Sequence, residues 1–197
     1  MADRALIVGS EGFVGPILWR RLRAEGFEVR GCDLSVPPGT ADRLACNITD
    51  AKSVRDLFEW VGRVALVFQL AAVDFVPAAH QDPARVMTVN LNGTVNLIRA
   101  MKSNAPGARL VYVGSAECYG MPDRLPATEA TPLNPLTPYA ISKTAADQYC
   151  RFSAENSGLD IVRLRPFNHS GPGQSARYLL PSLGRQLAAM ESGTQAR

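Results

Sequence analysis

The chain has 197 residues, 46% of them apolar and 20% charged, enough to bury the core of one sizeable domain. Its net charge of +3, without a Lys/Arg cluster, excludes a nucleic-acid partner, and no apolar run approaches the roughly 18 residues of a membrane span. The short apolar run before the first glycines is too brief for a signal peptide. With Cys32, Cys46, Cys118 and Cys150 widely spaced and free of any CxxC pair, a cytoplasmic protein with buried, reduced thiols is expected.

Taken in chain order, apolar runs predict strands at 5–8, 28–32, 43–46, 65–70, 110–113 and 161–164. Several are unbroken Val/Ile/Leu stretches, as in parallel strands covered on both faces. Helices are predicted between them. Val14, Ile17, Leu18 and Leu22 form an apolar face after Gly15, with Pro16 in the tolerant first turn. Asp50 caps a helix carrying Val54, Leu57, Phe58 and Val61. Asp82-Pro83 starts a long helix to about Met101, with Val86, Val89, Leu97 and Ile98 on its buried side. Another runs from near Thr137 to Asn156 and stops at Ser157-Gly158. The Pro-rich stretch 121–138 is a long loop, of the kind that is usually functional. Beyond Leu164 the alternation ends in the loop RPFNHSGPGQSAR and a final helix to about Glu191. The fold class is therefore α/β, a doubly wound parallel sheet with helices on both faces.

The stretch VGSEGFVG follows the first strand, with Gly9, Gly12 and Gly15 at three-residue intervals. Such glycines serve a sharp turn, a close approach to a pyrophosphate, or tight packing of helix on strand. The helix N-terminus behind them offers donors to an anion. An ordinary turn would have the same look. Asp33 ends the second strand, where a carboxylate either holds an adenosine ribose or caps the strand. No Arg or Lys immediately follows it to attract a 2′-phosphate, which favours NAD over NADP. Asn47 and Ile48 after the third strand are placed to flank an adenine, and the small residues of Leu70-Ala71-Ala72 to border a cofactor. Tyr139 and Lys143 stand four residues apart on one helix face. An ammonium there stabilises phenolate and lets tyrosine exchange protons near neutrality. Ser115, just past the fifth strand, is placed to orient the same reacting oxygen.

Together these pieces, with VNLNGTVNLIRA, VGSAECYG, YAISK and RPFNHSGPGQ, resemble the extended short-chain dehydrogenase/reductases, the NAD-dependent epimerase/dehydratase family, over nearly the whole chain. The resemblance implies a Rossmann sheet over 1–165 that binds NAD, or NADP, and a triad of Ser115, Tyr139 and Lys143. Lys143 would also hold the nicotinamide ribose. It further implies that Phe13, Val14 and Leu34 join the cofactor-binding residues, as do Pro166 and Asn168. The substrate class would be a nucleotide-diphosphate sugar, and residues 166–197 would begin a substrate-binding region that is truncated here.

Within that resemblance, RPFNHSGPGQ tilts towards GDP-sugar members, with Asn168 touching substrate phosphates and His169 in a packing or hydrogen-bonding role. Glu117 stands where dehydratases keep a base, or else contacts a substrate hydroxyl. Ala116 can supply neither the acid nor the hydroxyl that dehydratases carry beside it. Arg177 would either pair with a diphosphate or lie solvated. The implied reaction is reduction of the C4 ketone of a GDP-6-deoxy-4-keto-hexose. Nucleotide-sugar 4-epimerase and 4,6-dehydratase chemistry stand as alternatives, as does a non-catalytic dinucleotide-binding module. A homodimer through a four-helix interface is also implied. Val95, Ile98, Ala145 and Tyr149 would serve either that interface or packing on the sheet.

Overall fold

The computed structural model describes residues 2–194, except the side chains of Val76 and Ala78. The chain divides into two compact units, Met1–Phe167 and Asn168–Arg197. In the first, six strands form one sheet: β1 (Arg4–Val8), β2 (Glu28–Asp33), β3 (Arg43–Ala45), β4 (Leu66–Gln69), β5 (Arg109–Val113) and β6 (Ile161–Leu164). Every pairing is parallel and the order is β3-β2-β1-β4-β5-β6. The strand order reverses between β1 and β4, the crevice where ligands of open α/β sheets bind.

β1 explains its own position in the sequence. Its alternate residues Leu6 and Val8 join a core with Leu57, Leu97 and Leu110 on one face. Ala5 and Ile7 join Trp19, Leu22 and Val29 on the other. An unbroken apolar strand is what a two-sided burial demands.

Helix α1 (Gly15–Ala24) starts with Val14 as its N-cap residue, with no side-chain cap. α2 (Ala51–Val61) is capped as expected, Asp50 Oδ1 accepting from the Lys52 amide at 2.9 Å. The helix expected over 82–101 is instead preceded by a short α3 (Val76–Gln81) and interrupted. It consists of α4 (Pro83–Met87), a π-helical turn at Thr88–Asn92, and α5 (Gly93–Asn104). A buried polar network lies at the interruption. Gln69 Nε2 donates to Thr94 Oγ1 at 2.7 Å, and Thr94 Oγ1 donates to the Asn90 carbonyl at 2.6 Å. A side chain claiming a helix carbonyl in this way competes with the regular ladder.

Ile98 is 3% exposed and belongs to the core, so of the two packings open to it the structure has the one against the sheet. Val95, Ala145 and Tyr149 are half-buried. The four cysteines are buried and free, and no helix among the described residues is long and apolar enough to cross a membrane.

α6 (Pro138–Ser157) is capped by Thr137, whose Oγ1 accepts from the Ala140 amide at 3.0 Å, and stops at Gly158 in the left-handed region. It is bound to the sheet by charge. The Asp147 carboxylate accepts from Arg163 Nη1 at 2.7 Å and Arg165 Nη2 at 2.8 Å, with its own side chain 2% exposed. Arg165 also donates to the Tyr119 hydroxyl at 3.1 Å, so one carboxylate joins α6 to β6 and to the loop after β5. The second unit holds α7 (Leu179–Glu191).

Removing that carboxylate leaves two guanidinium groups facing a half-buried site without their anion. Asp147→Ala is expected to lower the unfolding free energy by about 3–5 kcal/mol, read by urea denaturation; a loss below about 1 kcal/mol, the worth of a surface pair, would contradict this role.

Candidate functional site

All the strands point the same way, so the loops after β1, β2, β4 and β5 gather along one edge of the sheet. The β1 loop is the tightest. Val8's carbonyl accepts from the Leu70 and Ala71 amides at 2.8 and 2.9 Å, and Cys32's carbonyl accepts from the Gly9 and Ser10 amides at 2.8 and 3.0 Å. Gly9 has φ +95°, and a Cβ on it would lie 2.5 Å from the Ala71 nitrogen. No other residue type meets both conditions. Leu70 and Ala71 thus have their backbone directly under the loop, with Ala72 half-buried beside them.

Gly12 is different. A Cβ there would meet only the Gly9 carbonyl, at 3.6 Å, so the loop's outer side is open to a bulky anion. Phe13 and Val14 then lead into the uncapped start of α1, whose first-turn amides are the donors an anion seeks. These features fit a pyrophosphate.

Asp33 closes the same corner. Its Oδ2 accepts from the Glu11 amide at 3.0 Å and its Oδ1 from the Leu34 amide at 2.8 Å. Leu34 itself is 67% exposed. Asn47 is exposed, and its Oδ1 accepts from the Thr49 amide and hydroxyl at 3.0 and 2.8 Å. Ile48 is turned inward: it is buried, and its Cδ1 would lie 2.6 Å from a Cβ added at Gly93 of α5. Any contact it makes with an adenine would therefore come from its backbone.

The second cluster lies past β5 and on α6. Ser115 is extended, half-buried, and its Oγ accepts from the Glu117 amide at 3.2 Å. Glu117 Oε2 accepts from Thr137 Oγ1 at 3.4 Å, one residue before α6. Tyr139 is 9% exposed and packs in a small apolar cluster with Ala79 and Val86. Lys143, one turn further, is 5% exposed. Its Nζ donates to the Val113 carbonyl at 2.7 Å and stands 5.4 Å from the Tyr112 ring centroid. Burial pushes its pKa down to about 8, against a smaller upward pull from Asp74. Pro166 closes the base of this cluster, its carbonyl accepting from the Ala116 amide at 2.9 Å.

Asn90, in the π-helical turn, is absent from the residues picked out in the sequence. It is 2% exposed. Its Oδ1 accepts from the Val73 amide at 2.8 Å, and its Nδ2 donates to the Val73 carbonyl at 3.1 Å and to Ser142 Oγ at 2.9 Å. Ser142 Oγ in turn donates to the Tyr139 carbonyl at 2.7 Å. One amide therefore fixes the loop after β4 against the turn of α6 that carries Tyr139. An asparagine amid apolar helix positions was the available signal.

Asn168 and Arg177 belong to the second unit. Asn168 is exposed, and the Arg177 guanidinium lies 5.0 Å from the Tyr178 ring centroid and donates to its hydroxyl at 2.8 Å. Among the described residues no cluster of His, Cys, Asp and Glu could hold a metal ion.

A profile of the NAD dependent epimerase/dehydratase family matches residues 5–196, and the chain belongs to that family. It is 35% identical to GDP-6-deoxy-D-mannose reductase of Pseudomonas aeruginosa, over 100% of this chain and 62% of the relative. It is 34% identical to UDP-glucose 4-epimerase of Mycolicibacterium smegmatis, over 87% of this chain and 58% of the relative. Among solved structures, RMD from Pseudomonas aeruginosa complexed with NADPH superposes with a TM-score of 0.85 at 34% identity, covering 99% of this chain and 63% of that one. The chain thus spans about three fifths of the length of these relatives.

The buried ammonium gives a pH dependence with a definite sign. Lys143's folded pKa, about 8, lies below the unfolded value of about 10.4. Below pH 8 both states hold the proton and the folded state bears the full cost of burying it. Between the two values only the unfolded state keeps the proton, so stability rises with pH across that window. Nitrogen-detected NMR of the lysine side chains is expected to show one Nζ titrating near pH 8; a Lys143 midpoint at the ordinary lysine value would contradict the burial.

Proposed function

We propose that Met1–Phe167 binds an NAD-type dinucleotide along the β1 and β2 loops, and that Tyr139, Lys143 and Ser115 carry proton transfer at a nucleotide-sugar carbonyl. The observation that carries this reading is Lys143: a nearly buried ammonium on the Val113 carbonyl, one turn from Tyr139 and at the end of the strand that leads to Ser115. Burying a lone ammonium is costly, and a structural role at this spot would be met as well by an apolar side chain.

In this reading the pyrophosphate rests over Gly9 and Gly12 at the start of α1, with Phe13 and Val14 beside it. The Asp33 carboxylate accepts from the adenosine ribose hydroxyls. Leu34 and the 47–48 backbone border the adenine, while Leu70, Ala71 and Ala72 lie under the middle of the molecule. Pro166 would complete the nicotinamide end. The dinucleotide, when bound, supplies or accepts hydride.

The protein's own groups handle the proton. Tyr139 gives its hydroxyl proton to the carbonyl oxygen as charge builds there. The Lys143 ammonium stabilises the phenolate left behind and holds the nicotinamide ribose. Ser115 Oγ donates to the same carbonyl oxygen. Glu117 reaches a hydroxyl of the sugar.

The substrate we favour is a GDP-6-deoxy-4-keto-hexose, reduced at C4. The RPFNHSGPGQ loop and the 35% identity to a GDP-6-deoxy-D-mannose reductase support it. The 34% identity to a UDP-glucose 4-epimerase supports a second reading, in which the same residues first remove and then restore hydrogen at C4.

Mixing the protein with reduced dinucleotide and GDP-4-keto-6-deoxy-mannose is expected to consume the cofactor. Tyr139→Phe is expected to lower that rate by roughly 10²–10⁴-fold with cofactor affinity retained. Undiminished turnover by the Phe variant would remove the proton-donor assignment. Cofactor binding without turnover would leave a non-catalytic dinucleotide-binding module.

A further inference from the structure

Two of the four buried thiols lie side by side. Cys32 of β2 stands opposite Leu44 of β3. Cys46 follows two residues after Leu44, tied back by its amide, which donates to the Asp33 carbonyl at 2.7 Å. Side chains two apart on a strand share a face, so Cys32 and Cys46 are diagonal neighbours, and both enter the same core cluster. Their thiols act on each other through a side-chain hydrogen bond.

The two sulfurs are not equivalent. Cys46 Sγ accepts from Ser53 Oγ at 3.4 Å and donates to the Ser53 carbonyl at 3.6 Å, in the first turn of α2. The contact with Cys32, and after it the one with Ser53, holds the Cys46 thiol below its ordinary pKa, against burial and the carboxylates of Asp50 and Asp56. Cys32 is pushed up by the same contact and by its burial. Burial likewise raises Cys118 and Cys150. One readily ionised sulfur beside a protonated thiol is the arrangement of an attacking and a resolving cysteine.

We propose that Cys32 and Cys46 are a redox-sensitive dithiol, closed by a peroxide into a disulfide that loosens the dinucleotide site beside it. The disulfide rests on the pair alone, and its effect on binding rests on the dinucleotide reading above. The Cys46 thiolate attacks one oxygen of hydrogen peroxide and breaks the O–O bond, leaving a sulfenic acid and a hydroxide that takes up the proton Cys46 released. The Cys32 sulfur then attacks the sulfenic sulfur. The S–S bond forms, the S–O bond breaks, and the oxygen leaves as water with the Cys32 proton. Two thiols are oxidised and one peroxide is reduced to two waters.

A bond between diagonal neighbours draws the strand ends together. β3 has three residues and lies at the edge of the sheet, so it is the side that gives. Closure also removes the proton that Cys46 Sγ shares with the Ser53 carbonyl, and Ser53 Oγ accepts from the Asn47 amide at 3.1 Å. On the other strand, the Cys32 carbonyl holds the Gly9 and Ser10 amides. The bridge thus pulls on the glycine loop from one side and on the turn after β3 from the other.

To test this, the reduced full chain is exposed to hydrogen peroxide, alkylated, digested without reductant and mapped by mass spectrometry. The expected result is a cross-linked peptide pair, Cys32 with Cys46, lost on treatment with dithiothreitol, with Cys118 and Cys150 still thiols. Cys32→Ser is expected to stop at a Cys46 sulfenic acid that dimedone traps, and Cys32→Ala gives the same readout should the Ser variant misfold. A Cys46 that remains a thiol, a wild-type sulfenic acid that never cross-links, or a bridge through Cys118 or Cys150 would each overturn the proposal. Calorimetric titration with NAD⁺ is expected to give an affinity about tenfold or more weaker for the oxidised chain, as for the loss of one hydrogen bond at the site, and restored by dithiothreitol. Equal affinities would overturn the loosening of the site. Reduced, folded protein that binds no NAD⁺ would overturn the dinucleotide reading, while the peptide map alone decides the disulfide.

Discussion

The site hangs on one close approach. At the end of β1 the backbone of Gly9 comes so near the chain leaving β4 that a Cβ would stand 2.5 Å from the Ala71 nitrogen. The Val8 carbonyl takes two amides from the β4 side, and the Cys32 carbonyl takes two from the glycine loop. Three strand ends are therefore knotted at the reversal of the sheet, where strands on either side turn their loops away from each other. Because that junction is rigid, Gly12, Asp33 and the start of α1 have fixed relative positions. A binding loop needs that pre-organisation, since each freely moving residue would have to be ordered by the ligand.

From that junction the sheet runs outward to a second cluster whose electrostatics are of another kind. On α6, Tyr139, Lys143 and Asp147 recur every four residues along one side of the helix, yet their surroundings differ. Lys143 has a backbone carbonyl for a partner and titrates low because burial disfavours its charge. Asp147 has two guanidinium partners. The paired carboxylate anchors the helix, and the ammonium beside it is left poised near neutrality. A buried lysine with a lowered pKa is what stability alone would avoid and what functional sites concentrate.

β1 was legible in the sequence because burial on both faces leaves no room for polar alternation, with Ala5, Leu6, Ile7 and Val8 at 0% exposure. The caps Asp50 and Thr137 were legible for a local reason: their oxygens bond amides two or three residues away. The π-helical turn was not. The network that lies at it draws on Gln69, 25 residues from Thr94, and local periodicity carries no trace of such a partner. Asn90 escaped for the same reason, since its partners lie 17 and 52 residues away. The placing of Cys32 beside Cys46 across β2 and β3 also needed the fold. Of Asn47 and Ile48, the turn after β3 was anticipated but the inward packing of Ile48 against Gly93 was not, because it depends on where α5 crosses.

The central claim is that one edge of this sheet is a dinucleotide site, with its adenosine end at Asp33 and its reactive end at Tyr139 and Lys143. A crystal structure of the protein grown with NAD tests it most directly. The account predicts the ribose hydroxyls on the Asp33 carboxylate, the pyrophosphate over Gly12, and the nicotinamide ribose within hydrogen-bonding reach of Lys143. A dinucleotide bound in the opposite direction, or away from the β1 loop, would contradict it.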